Sequence, residues 1–251
     1  MYLESVICKK LCENLDCDAT KMPGFGKLKN SIALLHNKYL LGACKEAAVI
    51  IKKYAKNNVD IFDLVISIYN KRIKSHHEMF LIIHIFETAL RSKVALVLSE
   101  IYSSNSNADD WFLYGKNAKL IKQAAHIAQT KKVNLTEQMN SFEVLDLFTL
   151  GDLQNIIGSN WSDFRDIFAS VCEYKGQKLP EYGTKNSLLN VFSMIRKARN
   201  DIFHNNPPKT KAKSITVNIE ILLLRLGFNL NDAFKNISNL NHMVNLKYKY
   251  D

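Results

Sequence analysis

Arg196-Lys197-Ala198-Arg199-Asn200-Asp201-Ile202-Phe203-His204-Asn205-Asn206-Pro207-Pro208 closes the most regularly patterned stretch of the chain. On a 100° wheel centred on Ile195, the residues Leu188, Val191, Phe192, Ala198 and Ile202 all fall within about 60° of that position, the stripe of an amphipathic helix. Two asparagines and two prolines then stop it. Arg199 falls at about 40°, inside the apolar stripe. A guanidinium keeps its charge, so one aimed at a packed face needs an acidic partner, a water-lined cleft or an anionic ligand.

The same helical period recurs outward from this stretch. Residues 2–16, 37–56, 61–73, 76–103, 116–132 and 215–236 each carry apolar groups at helical spacing, and a further helix start is expected at Ser141-Phe142-Glu143. The run 76–103 is expected to be the longest helix. Asp60 and Asp152 are expected as N-caps. Met22-Pro23-Gly24-Phe25-Gly26-Lys27 lacks the spacing of a phosphate loop and reads as a turn. Gly176–Gly183 reads as a loop, and the tail 247–251 as frayed. Residues 214–219 alternate and leave an extended opening as an alternative to helix. Strand signals are few, so the fold class is all-α, a helical bundle.

With 251 residues and 47% hydrophobic content the chain supports a sizeable core. Its 34 Lys and Arg against 24 Asp and Glu give +10, a balance that favours polyanionic partners, although a dispersed basic surface gives the same total. The five cysteines, Cys8, Cys12, Cys17, Cys44 and Cys172, include no Cys-x-x-Cys pair. No metal or cofactor is expected from them or from the histidines, whose spacing matches no zinc site. Without a signal-peptide pattern or a long apolar run, the expectation is a cytoplasmic protein with no membrane segment.

Chemistry is concentrated in the opening stretch. Trp111-Phe112-Leu113-Tyr114 reads as a core plug rather than a base-stacking platform, and Lys116 to Lys132 as a solvated basic face. Glu87 has two readings: a surface pair with Arg91 one turn on, or an inward carboxylate that meets a buried cation. Arg199 and His204 point about 140° apart on a straight helix. Bringing both to one phosphodiester therefore requires an unwound last turn or a composite site in a symmetric dimer.

The run Arg199-Asn200-Asp201-Ile202-Phe203-His204 resembles the signature of HEPN-domain ribonucleases, an Arg, a polar residue, a few positions and a His at the end of a late helix. Glu87 with Leu90-Arg91, then Trp111, Phe142-Glu143 and Gly151-Asp152-Leu153 are similar to the HEPN-like abortive-infection proteins of bacteria. The resemblance covers roughly residues 76–240. It implies a HEPN-like domain over residues 76–251 with an additional N-terminal helical region, residues 1–75, of unknown role. It further implies a metal-independent endoribonuclease of a bacterial antiviral-defence or toxin-antitoxin system, acting on RNA as a homodimer and open to control by an antitoxin.

Under that resemblance Arg199 stabilises the phosphorane charge, His204 is the general base or acid, and Asn200 positions the phosphate or the histidine. Glu87 and Asp201 support them. The 2′-hydroxyl attacks phosphorus and leaves a 2′,3′-cyclic phosphate. The competing expectation is a non-catalytic helical module that binds RNA or protein, in which Arg199 pairs with Glu87 and His204 merely caps a helix whose macrodipole favours it.

Overall fold

The computed structural model describes residues 2–15, 19–54 and 59–228. Their helices are α1 (Tyr2–Leu15), α2 (Phe25–Ser31), α3 (Asn37–Tyr54), α4 (Ile61–Tyr102), α5 (Ala118–Lys131), α6 (Ser141–Asp146), α7 (Leu150–Ser159), α8 (Trp161–Ala169), α9 (Lys185–Phe203) and α10 (Ala212–Arg225). A single short turn of 3₁₀-helix, Ala19–Lys21, joins α1 to α2. The one sheet among the described residues is a two-residue hairpin, β1 (Glu173–Tyr174) with antiparallel β2 (Gln177–Lys178). The fold is all-α.

Several boundaries differ from expectation. The runs 61–73 and 76–103 are one helix of 42 residues, α4, because no Gly or Pro interrupts them. The helix start near residue 141 is capped by Asn140, whose side chain accepts from the Phe142 and Glu143 amides, while Glu143 closes the capping box. Asp152 is not the cap of α7. Thr149 is, and Asp152 is its capping-box partner. Residues 214–219 are helical within α10. Cys17, Asn57, Asn58, residues 229–236, His242 and the tail 247–251 lie outside the described residues.

The chain forms two compact units, Met1–Phe80 with Asp201–Lys209, and Leu81–Asn200 with Thr210–Asp251. Residues 201–209 group with the first segment.

In the first unit, Leu11, Leu28, Leu40, Ala43, Ala47, Ile61 and Val65 make a closed apolar core that includes Cys44. Burial pushes the Cys44 thiol up to about 12, and the residue acts as a small hydrophobe. The Gly24 turn is structural. Gly24 has φ 84°, and a Cβ there would fall 2.0 Å from Asp60 Oδ1. That same Asp60 Oδ1 accepts from the Phe62 amide at 2.9 Å, which caps α4. Tyr39 and His76 share a 2.6 Å hydrogen bond between Oη and Nδ1 in a buried setting. Burial holds His76 below its ordinary value and pushes Tyr39 up to about 12, so both are neutral near pH 7.

In the second unit, Phe86, Leu90, Val94 and Leu98 of α4 are buried together with Leu145, Leu153, Ile156, Phe164, Phe192 and Leu222. Trp111 and Phe112 are fully buried as well. The Trp111 indole N–H donates to Ser141 Oγ at 2.7 Å, so the buried ring keeps its polar atom satisfied. That burial removes Trp111 and Phe112 as base-stacking surfaces. Tyr114 is exposed, and its hydroxyl donates to Glu137 at 2.7 Å.

Candidate functional site

Helix α9 follows its stripe: Leu188, Phe192, Ile195, Ala198 and Ile202 are buried, Val191 only partly. Arg199 sits beside this stripe, and the structure supplies the acidic partner its placement demands. Its Nε donates to Glu87 Oε2 at 3.3 Å. Glu87 is 7% exposed, and its other oxygen accepts from Arg91 Nη2 at 3.2 Å. Glu87 thus faces inward to Arg199, and its pair with Arg91 along α4 is a largely buried one rather than the surface pair of the other reading.

One carboxylate between two guanidiniums is a compensated buried charge, and it fixes where the Arg199 side chain lies. Arg91 is itself anchored. Its Nε donates to Leu145 O at 3.0 Å and its Nη2 to Phe148 O at 3.3 Å, which ties α4 to α6 and to the residues just after it.

The Arg199 side chain is 30% exposed and opens onto a cavity of about 380 Å³. Arg196, Lys197 and Asn200 line the same cavity from α9, and Thr149 to Gly151 line it from the start of α7. Arg196, Arg199 and Asn200 stand at i, i+3 and i+4, one helix face, which is why they meet there. Among the described residues that line this cavity there is no carboxylate. Arg196 was not among the expected site residues. Its place depends on Gly151, where a Cβ would come 3.0 Å from Arg196 Nη1.

Asp201 and His204 belong to the first unit. The last turn of α9 is not unwound: it stays helical to Phe203 and is closed by two backbone bonds, Asn206 N to Asp201 O at 2.8 Å and Asn205 N to Ile202 O at 2.9 Å. This is a Schellman ending with Asn205 in the left-handed conformation, φ 55°, and His204 as the exposed C-cap. Lys38 Nζ donates to Asn206 Oδ1 at 2.6 Å, and the Phe203 ring stacks on Phe80 with centroids 4.5 Å apart. Asp201 is half-buried, and its charge adds to the burial that raises Tyr39.

A larger cavity of about 590 Å³ is lined mostly by apolar atoms of α4 and by Leu226 to Phe228. Its titratable groups are His84 and Lys93, and none of the Arg199 to His204 run reaches it. Among the described residues no three His, Cys, Asp or Glu side chains are grouped for a metal ion. No described helix is long and apolar enough to cross a membrane. No protein-family model, no curated protein and no solved structure matches the chain.

Proposed function

We propose that the protein is a metal-independent endoribonuclease of HEPN type, serving bacterial antiviral defence or a toxin-antitoxin pair and acting as a homodimer. The observation that carries this reading is Arg199, a guanidinium fixed by the buried Glu87 yet open to a cavity walled by cations. That is the arrangement needed to hold phosphate oxygens while charge builds on them.

In the proposed reaction the 2′-hydroxyl oxygen forms a bond to phosphorus as the bond to the 5′-oxygen breaks, leaving a 2′,3′-cyclic phosphate and a 5′-hydroxyl. His204 handles the proton, taking it from the 2′-hydroxyl or delivering it to the departing oxygen, and two protomers supply a copy for each transfer. Arg199 bears the added charge of the phosphorane. Asn200, on the same helix face, orients a phosphate oxygen. Glu87 positions Arg199, and Asp201 contributes the carbonyl that closes the helix behind His204. An antitoxin would act by covering this basic surface.

The test is RNA cleavage by the purified protein in excess EDTA, with analysis of product ends. Cleavage with cyclic phosphate ends, lost in Arg199→Ala and in His204→Ala, is the expected result. No cleavage, or equal cleavage by both variants, removes the nuclease reading. One observation favours a second reading, a non-catalytic RNA- or protein-binding module: Glu87 bridges Arg91 and Arg199, so the arginine also braces the bundle. Salt-dependent RNA binding without turnover is its signature.

A further inference from the structure

We infer that the cavity between the first turn of α7 and the last turns of α9, onto which Arg199 opens, extends that site with a binding subsite for the neighbouring phosphodiester of single-stranded RNA, held by Arg196 and Lys197. The inference rests on the nuclease reading for its substrate, but its evidence is the cavity itself. Three cations, Arg196, Lys197 and Arg199, line about 380 Å³, within the size range of small-ligand sites. The carboxylates bonded to lining residues are already engaged: Glu87 with Arg91 and Arg199, and Asp152 with the Thr149 amide at 2.9 Å and the Thr149 hydroxyl at 2.6 Å. Among the described residues no hydrogen bond or ion pair holds Arg196 or Lys197, so the cavity carries an excess of positive charge.

Because the Thr149–Asp152 capping box already uses the end of α7, the subsite relies on side-chain cations rather than on the helix terminus. Gly151 matters by what it lacks, since its missing side chain leaves room for the Arg196 guanidinium against the turn. A planar fork of N–H donors beside a flexible ammonium can contact both unbridged oxygens of a phosphodiester at once. Arg199 stands at the boundary between this subsite and the reacting phosphate, so neighbouring phosphates of one strand would be gripped in register.

The experiment measures binding of a fluorescein-labelled six-nucleotide uridine RNA by anisotropy over a series of salt concentrations. Parent protein is compared with Arg196→Ala/Lys197→Ala, with Arg196→Lys and with Gly151→Glu. The last variant sets a carboxylate beside Arg196, with Gly151→Ala as the control for the Cβ that alone crowds the guanidinium. The double variant and Gly151→Glu are expected to bind about tenfold more weakly, with the slope of log affinity against log salt flattened by about 1. Arg196→Lys recovers most of the affinity, and melting temperatures stay near the parent value.

Equal affinity and slope in parent and double variant overturn the subsite. So does inorganic phosphate that displaces the RNA at micromolar concentration, which would assign the cavity to a free anion. A cleavage assay on the same samples separates the two readings. Weakened binding in the variants with no turnover by the parent keeps the subsite and removes the nuclease, whereas turnover with unchanged binding does the reverse.

Discussion

Two arginines of the second unit are both drawn into apolar surroundings, and they are held in opposite ways. Arg225, the last residue of α10, is 7% exposed. Its Nε donates to Pro180 O at 2.8 Å, its Nη1 to Ser170 O at 3.0 Å and its Nη2 to Leu179 O at 3.4 Å, with the Tyr182 ring centroid 5.9 Å away. Those carbonyls belong to the loop that carries the hairpin, so the guanidinium pins that loop to α10. Arg199 instead meets a carboxylate and keeps one side on a basic cavity. Burial of a guanidinium is therefore no signal of function by itself. What separates a brace from an anion site is whether the guanidinium is enclosed by carbonyls or opens onto a cavity shared with other cations.

Mutating each arginine to alanine is the strongest way to break this contrast. Arg199→Ala is expected to lower RNA turnover by about 10²–10³-fold, roughly 3–4 kcal/mol of transition-state stabilisation. Arg225→Ala should instead lose about 2–3 kcal/mol of stability in a urea melt, because the buried guanidinium gives up three hydrogen bonds and its packing, while turnover per folded molecule is retained. A Glu87→Gln variant sharpens the picture at the next level down. It keeps the shape but removes the charge shared by two guanidiniums, and we expect about 1–2 kcal/mol less stability, discounted for their partial exposure, with a lower kcat at nearly constant KM.

The smallest effect belongs to the first unit, where Tyr39 and His76 form a neutral buried pair with no formal charge to offset. His76 has a folded value below the unfolded one of about 6.5, so the unfolded chain takes up the proton first. Its contribution to stability is complete above about pH 6.5, declines as pH falls below that, and levels off beneath the folded value. His77 and His36 add to the depression, after burial. Thermal melts from pH 8 to pH 5 should show the decline in the parent, with a slope no steeper than about 1.4 kcal/mol per pH unit, and a flatter profile in His76→Gln.

Most of the helices are legible in the sequence because each buries one stripe, and period 3.6 survives any tertiary arrangement. Legibility fails where the deciding partner is distant in sequence. The break expected between residues 73 and 76 is absent because Lys74 and Ser75 have nothing that stops a helix, and buried His76 carries α4 onward. The ends of α5 and α9 fall where the sequence puts them, and there Lys132 and Asn205 take the left-handed position that glycine takes at Gly227. Arg199 stands out on a wheel, and Glu87 is named as its candidate partner from its place on the long helix, but the 3.3 Å contact itself comes from the fold. Arg225 sits in Leu222-Leu223-Leu224-Arg225-Leu226, and its acceptors lie more than forty residues away, at Ser170, Leu179 and Pro180. Arg196 gains its place from Gly151, a contact no local pattern announces.

The central claim is that Arg199 is held for an anion and Arg225 for the fold, and a paired measurement on the two alanine variants tests it most directly. Each is melted and then assayed for RNA cleavage in EDTA at a temperature where both are folded. The account predicts that Arg199→Ala melts within a few degrees of the parent and no longer cleaves, whereas Arg225→Ala melts well below the parent and still does. A large drop in melting temperature for Arg199→Ala with cleavage retained would contradict it.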